Sequence, residues 1–82
     1  PGRAVDWFRS AAEDGDAESM NQLGYLLQAG IGAPADVVAA LAEFSRAAEL
    51  GSAPAAWNAA VLIDSGRVSG ADVARAAALV VS

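Results

Sequence analysis

Between Asp16 and Ala29, Ser19, Met20, Leu23, Gly24, Leu26 and Leu27 recur at helical spacing and fall on one face. Glu18, Asn21, Gln22, Tyr25 and Gln28 form the opposite, polar stripe. Such a pattern predicts an amphipathic helix with one side turned to a core. Punctuation between apolar segments gives the remaining elements. Glycine ends a helix by adopting the left-handed conformation, and Asp or Ser opens the next by accepting backbone N–H bonds. Gly15-Asp16 and Gly51-Ser52 are stop-start pairs of this kind, Asp36 caps the helix after the connector 30–35, and Pro54 sits just inside a helix start. The chain therefore reads as helices near 3–14, 16–29, 36–50, 53–65 and 71–81.

The pattern also repeats. A shift of 36 residues lays Ala4 on Ala40, Phe8 on Phe44, Ala11-Ala12-Glu13 on Ala47-Ala48-Glu49 and Gly15 on Gly51. The same shift lays Leu26 on Leu62, Gly30 on Gly66, and Asp36-Val37 on Asp72-Val73. A period of this length, with two helices in each, is the signature of a solenoid. A lone helix pair cannot bury its apolar stripe, so stacking of neighbours supplies the core. Small residues at Ala11, Ala12, Gly24, Ala47, Ala48, Ala59 and Ala60 let helices approach closely. The fold expected is all-α, an alpha-alpha superhelix of antiparallel helix hairpins with about five helices.

The run Ala4-x-x-Trp7-Phe8-x-x-Ala11-Ala12-Glu13-x-Gly15, then Leu23-Gly24, then Gly30-x-Gly32-x-x-x-Asp36-x-x-x-Ala40, resembles the Sel1-like repeat, a relative of the tetratricopeptide helical hairpins. Phe44-x-x-Ala47-Ala48-Glu49-x-Gly51 repeats its closing signature. The resemblance covers nearly the whole chain. Departures are Leu27 where the family has an aromatic, Glu43 where it has Trp, Ala59-Ala60 for Leu-Gly, and Arg67-Val68-Ser69 for the Gly-Val turn. The resemblance implies a right-handed superhelix used as an adaptor in protein complexes, with Trp7 packed against a neighbouring helix pair. On this register residues 1–15 form the second helix of a preceding repeat, 16–51 a complete repeat, and 52–82 a degenerate or truncated one. Pro1 aligns with Val37 and Ser82 falls before the expected Ala-Ala-Glu-x-Gly, so a piece of a longer array is expected.

Composition changes the picture mainly by exclusion. The 82 residues contain no cysteine and no histidine. Disulfides, thiolate or imidazole zinc sites, and nucleophiles activated by histidine are therefore absent from this sequence. Ser10, Ser45 and Ser65 have neither a histidine nor a lysine to serve as base. Ten acidic residues stand against five arginines, for a net charge of −5. Scattered single arginines do not make a phosphate-binding stripe, so no nucleic acid partner is expected. No apolar run reaches the about 20 residues that span a bilayer, so membrane insertion is not expected either. The composition suggests a GC-rich bacterial genome, with the cytoplasm as the compartment it points toward, while the lack of cysteine fits export equally.

Two constellations invite a chemical reading and meet a simpler one. Gly30-x-Gly32 lacks the third glycine and the preceding strand of a dinucleotide loop, and reads as an inter-helix connector. The cluster Glu13, Asp14, Asp16, Glu18 suggests a calcium loop, but Ser19 and Tyr25 occupy the places that need Gly and Glu. Helix capping accounts for Asp16 and Glu18 instead. No cofactor, metal or catalytic residue is expected.

The functional expectation is thus a protein–protein interaction module, with no enzymatic activity of its own. In helical-hairpin solenoids the first helices of successive pairs line the concave surface. Here they would present Glu18, Asn21, Gln22, Tyr25 and Gln28, continuing across Trp57, Asn58, Val61 and Asp64, to a neutral or basic peptide or protein. Large amphipathic rings such as Tyr25 and Trp57 are frequent binding hot spots. Trp57 has an alternative role, filling space left by Ala59-Ala60. Two alternatives stand beside this one. The segment is a spacer or self-associating element, motivated by the apolar tail Leu79-Val80-Val81, or a regulatory part of a protein whose enzymatic domain lies elsewhere.

Overall fold

A computed structural model describes residues 2–81, and the positions of Pro1 and Ser82 lie outside them. Five helices follow one another: α1 (Gly2–Glu13), α2 (Ala17–Ala29), α3 (Val37–Glu49), α4 (Ala53–Asp64) and α5 (Gly70–Val81). No strand occurs among the described residues.

Helix starts follow the capping chemistry read from the sequence. Asp16 accepts from the Glu18 backbone N–H at 3.1 Å, and Ser19 Oγ donates to its other oxygen at 2.9 Å. Asp36 accepts from the Ala39 N–H at 3.0 Å and Ser52 Oγ from the Ala55 N–H at 3.2 Å. Gly30, at φ 74°, closes α2 in the left-handed conformation while its N–H donates to the Leu26 carbonyl. One start differs from the register. Asp72 is the counterpart of the cap Asp36, yet α5 begins two residues before it, at Gly70. Ser69 and Asp72 form a reciprocal box instead: the Ser69 N–H donates to Asp72 Oδ2 at 3.0 Å, and the Asp72 N–H donates to Ser69 Oγ at 3.1 Å. The signal was the spacing Ser-x-x-Asp just ahead of an apolar run.

The core is centred on α3, which packs on α2, α4 and α5. Ala40, Leu41, Ala42, Phe44 and Ala47 are its buried residues, meeting Met20, Leu23 and Leu27 of α2, Ala55 and Leu62 of α4, and Ala76 of α5 in one apolar cluster. The closest approach is between α2 and α3. Phe44 lies directly over Gly24, so a Cβ placed at Gly24 would stand 2.6 Å from Phe44 Cε1. A side chain of any size at Gly24 would displace that ring.

The last unit is built differently. Along the 36-residue register, Met20, Leu23, Gly24 and Leu27 become Ala56, Ala59, Ala60 and Ile63, and Phe44 becomes Val80. Each buried Leu or Met contributes roughly 1.5–3 kcal/mol that alanine cannot supply. The α4 stripe is correspondingly open: Ala56 and Ala60 are exposed, and Ile63 is 47% exposed. Accordingly α5 packs on α3 and hardly on α4. The splay leaves an apolar cleft of about 200 Å³ between Leu41 of α3, Ile63 of α4, and Val73, Ala76 and Val80 of α5.

Two sequence expectations about exposed residues are altered by this packing. Trp7 is 72% exposed rather than covered by a helix pair, because it sits about 200° around α1 from Val5, the buried residue that faces the core. Among the described residues no helix lies on that side. The apolar tail is only partly exposed: Ala76 is buried and Val80 half-buried on α3, while Ala77, Ala78 and Leu79 are exposed. The Val81 side chain lies outside the described residues.

The Gly24–Phe44 approach yields a prediction. Gly24→Ala gains about 1 kcal/mol of helix propensity but incurs the cost of overpacking, about 1–3 kcal/mol. The expected result is a lower thermal midpoint by circular dichroism, with a smaller loss when Phe44→Leu is already present. A Gly24→Ala protein that melts above the parent would mean the ring moves aside freely.

Candidate partner-binding surface

The nine residues read from the sequence as a recognition stripe lie on α2 and α4, the helices before and after α3 in chain order. Two hydrogen bonds join α2 to the α4 segment. Asn58 Nδ2 donates to Asn21 Oδ1 at 2.8 Å, and Arg67 Nη2 donates to the Gln28 carbonyl at 2.9 Å. Asn21 and Gln28 thus meet Asn58 and Arg67 in the same order, so α2 and α4 run side by side in the same direction.

Arg67 explains one departure from the repeat pattern. Gln28 lies in the last turn of α2, where carbonyls have no intrahelical partner and the helix dipole is negative. The Arg67 guanidinium fills that role from the turn after α4. A residue that breaks the expected Gly-Val turn is here the tie between two successive first helices. Sequence reading placed Arg67 in a degenerate loop, since nothing in its local spacing says which carbonyl it reaches.

Across this face Tyr25 is 51% exposed and Trp57 71% exposed. Val61 is also exposed, as are Glu18 and Asp64; Asn21, Gln22, Gln28 and Asn58 are half-buried. The exposure of Trp57 removes the space-filling alternative, because a ring wedged over Ala59-Ala60 would be covered. Asn21 and Asn58 are brought into direct contact, Tyr25 lies one turn beyond Asn21, and Val61 about one turn beyond Asn58. Glu18 and Asp64 mark opposite ends of the face, near the start of α2 and the end of α4.

A second polar feature lies between α1 and α3 and was not singled out from the sequence. Arg9, Ala12 and Glu13 of α1, Leu23 of α2, and Glu43 and Arg46 of α3 line a pocket of about 160 Å³. Glu43 Oε2 faces Arg46 Nη1 at 3.5 Å, while its Oε1 is buried with no hydrogen-bond partner among the described residues. Burial raises the Glu43 pKa above the ordinary carboxylate value; Arg46 and Arg9 oppose the rise and Glu13 adds to it. Arg46 also donates through Nη2 to the Leu79 carbonyl at 2.6 Å, in the last turn of α5. Two arginines in this chain therefore serve carbonyls at the ends of other helices.

Among the described residues no group of three or more acidic side chains is arranged to hold a metal ion. Asp16 is instead engaged as a helix cap. No helix of the described residues is long and apolar enough to cross a membrane.

The Glu43 environment makes a pH prediction whose sign follows from linkage. A carboxyl with a raised folded pKa favours the fold most below its unfolded value, 4.5, and that contribution is lost as pH rises through the folded value. Urea midpoints of the parent and of Glu43→Gln, measured from pH 4 to 7, should diverge over this window. The Gln variant loses less stability as pH rises. Parallel curves would mean that the Arg46 and Arg9 charges offset the burial.

Comparison with known proteins agrees with this architecture. A search of curated proteins found no match. A family model described as Sel1 repeat matches residues 1–16 and 17–52, more than half of the chain, and covers all of α1, α2 and α3 and the Ser52 cap. The helical hairpin of α2 and α3, closed by the Gly24–Phe44 contact, falls within the second match. The chain belongs to the Sel1 repeat family.

Proposed function

We propose that this chain binds a peptide or protein segment on the face shared by α2 and α4. Repeats of this family are generally non-catalytic protein-interaction modules. The observation that carries the more specific reading is the pair of exposed rings, Tyr25 and Trp57, set on two adjacent helices around the Asn21–Asn58 bond. Tyrosine and tryptophan are among the side chains most enriched at interface hot spots. Glu18 and Asp64 at the ends of the face, within a chain of net charge −5, favour a neutral or basic partner. In this reading the functional units are 1–15, 16–51 and 52–82, and the recognition surface runs from the first helix of the second unit to that of the third.

The test begins with peptides selected from a random linear library against the whole chain. Tyr25→Ala and Trp57→Ala should each weaken binding by about tenfold or more, as truncation of a hot spot does, with helical circular dichroism unchanged. Undiminished affinity in both variants would move the site elsewhere.

The cleft between α3, α4 and α5 supports a second reading, self-association. Ile63 is exposed beside a lining of Leu41, Val73, Ala76 and Val80, an apolar surface that a second copy could cover. Sedimentation velocity should then show concentration-dependent dimerisation that Ile63→Glu abolishes. A monomer at all concentrations up to about 100 μM, some tenfold above a Kd in the micromolar range, removes it.

A further inference from the structure

The centre of the α2–α4 face has a hydrogen-bonding inventory that selects a kind of ligand. A carboxamide carries two N–H donors and a carbonyl with two lone pairs. The Asn58 Nδ2 to Asn21 Oδ1 bond, at 2.8 Å and half-buried, engages one end of each side chain. Asn21 Nδ2 and Asn58 Oδ1 have no other partner among the described residues, and neither is sealed from solvent. The couple therefore offers one free amino group and one free carbonyl, held in a fixed relation by the bond between them. Turning both side chains over exchanges the atoms and leaves the same inventory.

A free NH2 beside a free C=O complements a peptide group, which displays one C=O and one N–H. A helical ligand cannot use it, because its main-chain groups are joined to one another except at the ends. The surface of a folded partner mostly has its main chain paired as well. An extended segment, by contrast, carries both groups free at every residue and sends successive side chains to opposite sides. Apolar surface for those side chains lies on either hand: Trp57 beside Asn58, Tyr25 one turn along α2, and Val61 along α4. Flexible side chains alone would not hold such a pair in register. The Arg67 bond to the Gln28 carbonyl at 2.9 Å supplies a second tie between α2 and the α4 segment, so the spacing of the two asparagines does not depend on their own contact.

We propose that the Asn21–Asn58 carboxamide couple recognises the main chain of an extended, neutral or basic peptide segment, with Tyr25 and Trp57 taking its apolar side chains. This rests on the α2–α4 face being the recognition surface, and it names what that face reads. Affinity then comes largely from a group common to all peptides, and selectivity from spacing of apolar residues and from charge.

The probe is a library-selected peptide whose binding to the full chain is weakened by Tyr25→Ala or Trp57→Ala. Each internal amide of that peptide is N-methylated in turn, which removes one main-chain donor. Methylation at one position should cost at least tenfold in affinity for the parent chain. The same methyl should cost threefold or less in Asn58→Ala or, with the two amides turned over, in Asn21→Ala, whichever removes the acceptor. A purely structural asparagine pair would lower affinity for methylated and unmethylated peptides alike, with no such coupling. If the aromatic substitutions weaken binding but no methyl position couples to either Asn58 or Asn21, main-chain recognition is refuted and the groove survives. A peptide that gains helical circular dichroism on binding refutes it in the same way. A library that returns no peptide dependent on Tyr25 or Trp57 overturns the groove reading, and this inference with it.

Discussion

The architecture turns on the contact of the Phe44 ring with the bare backbone of Gly24. A phenyl ring lying against a helix with no Cβ allows α2 and α3 to close at a distance that no other residue at position 24 would permit. Everything buried by α3 is referred to that approach. Leu23 and Leu27 reach the cluster around Phe44 and Leu41 from α2, and α4 and α5 dock on the remaining sides of α3. Burying a phenylalanine contributes on the order of 1.5–3 kcal/mol, a large share of the stability available to a domain of this size. Remove the pairing along the repeat, as Ala60 and Val80 do, and the two helices of the unit no longer close on one another.

That contrast explains how far the sequence could be read. Helix positions were legible because their signals are local: Asp16, Asp36 and Ser52 each accept from an N–H two or three residues ahead, and Gly15, Gly30, Gly51 and Gly66 all adopt positive φ. The buried face of α2 was legible for the same reason, since periodicity alone separates Leu23 and Leu27 from Asn21 and Tyr25. The docking of α5 on α3 was not. It follows from a balance between a weak alanine stripe on α4 and an apolar α3 flank, and no local spacing records that balance. The long-range polar contacts were equally silent. Arg46 reaches the Leu79 carbonyl and Arg67 the Gln28 carbonyl over separations of more than thirty residues, and an isolated arginine in sequence carries no address.

The candidate surface divides along similar lines. Its membership came from the stripe opposite the core, a matter of helix geometry. Its internal organisation came only with the fold: Asn21 and Asn58 sit one residue off the repeat register, so the shift that aligned glycines and phenylalanine gave no hint of their bond. Trp57 rather than Asn58 is the counterpart of Asn21. The contact is therefore a property of two unlike repeats placed next to each other, and a consensus repeat would not contain it. Degeneracy in the last unit has the same quality. Arg67 departs from the expected turn and thereby gains a carbonyl to hold.

The splay between α4 and α5 has a mechanical consequence. Local opening follows the number of buried apolar contacts that hold a segment. The α2–α3 joint is stiff, with a ring locked over a glycine, whereas α4 rests on α3 through Ala55 and Leu62 and is left unsupported along Ala56, Ala60 and Ile63. Support for α4 is thus weakest along the edge that carries Ala56, Ala60 and Ile63. The Asn21–Asn58 and Arg67–Gln28 bonds hold the α4 segment to α2, so the edge of α4 left without support is the one beside the cleft to α5. Opening of the fold therefore starts at the α4–α5 edge, while the α2–α3 hairpin and the α2–α4 face keep their spacing.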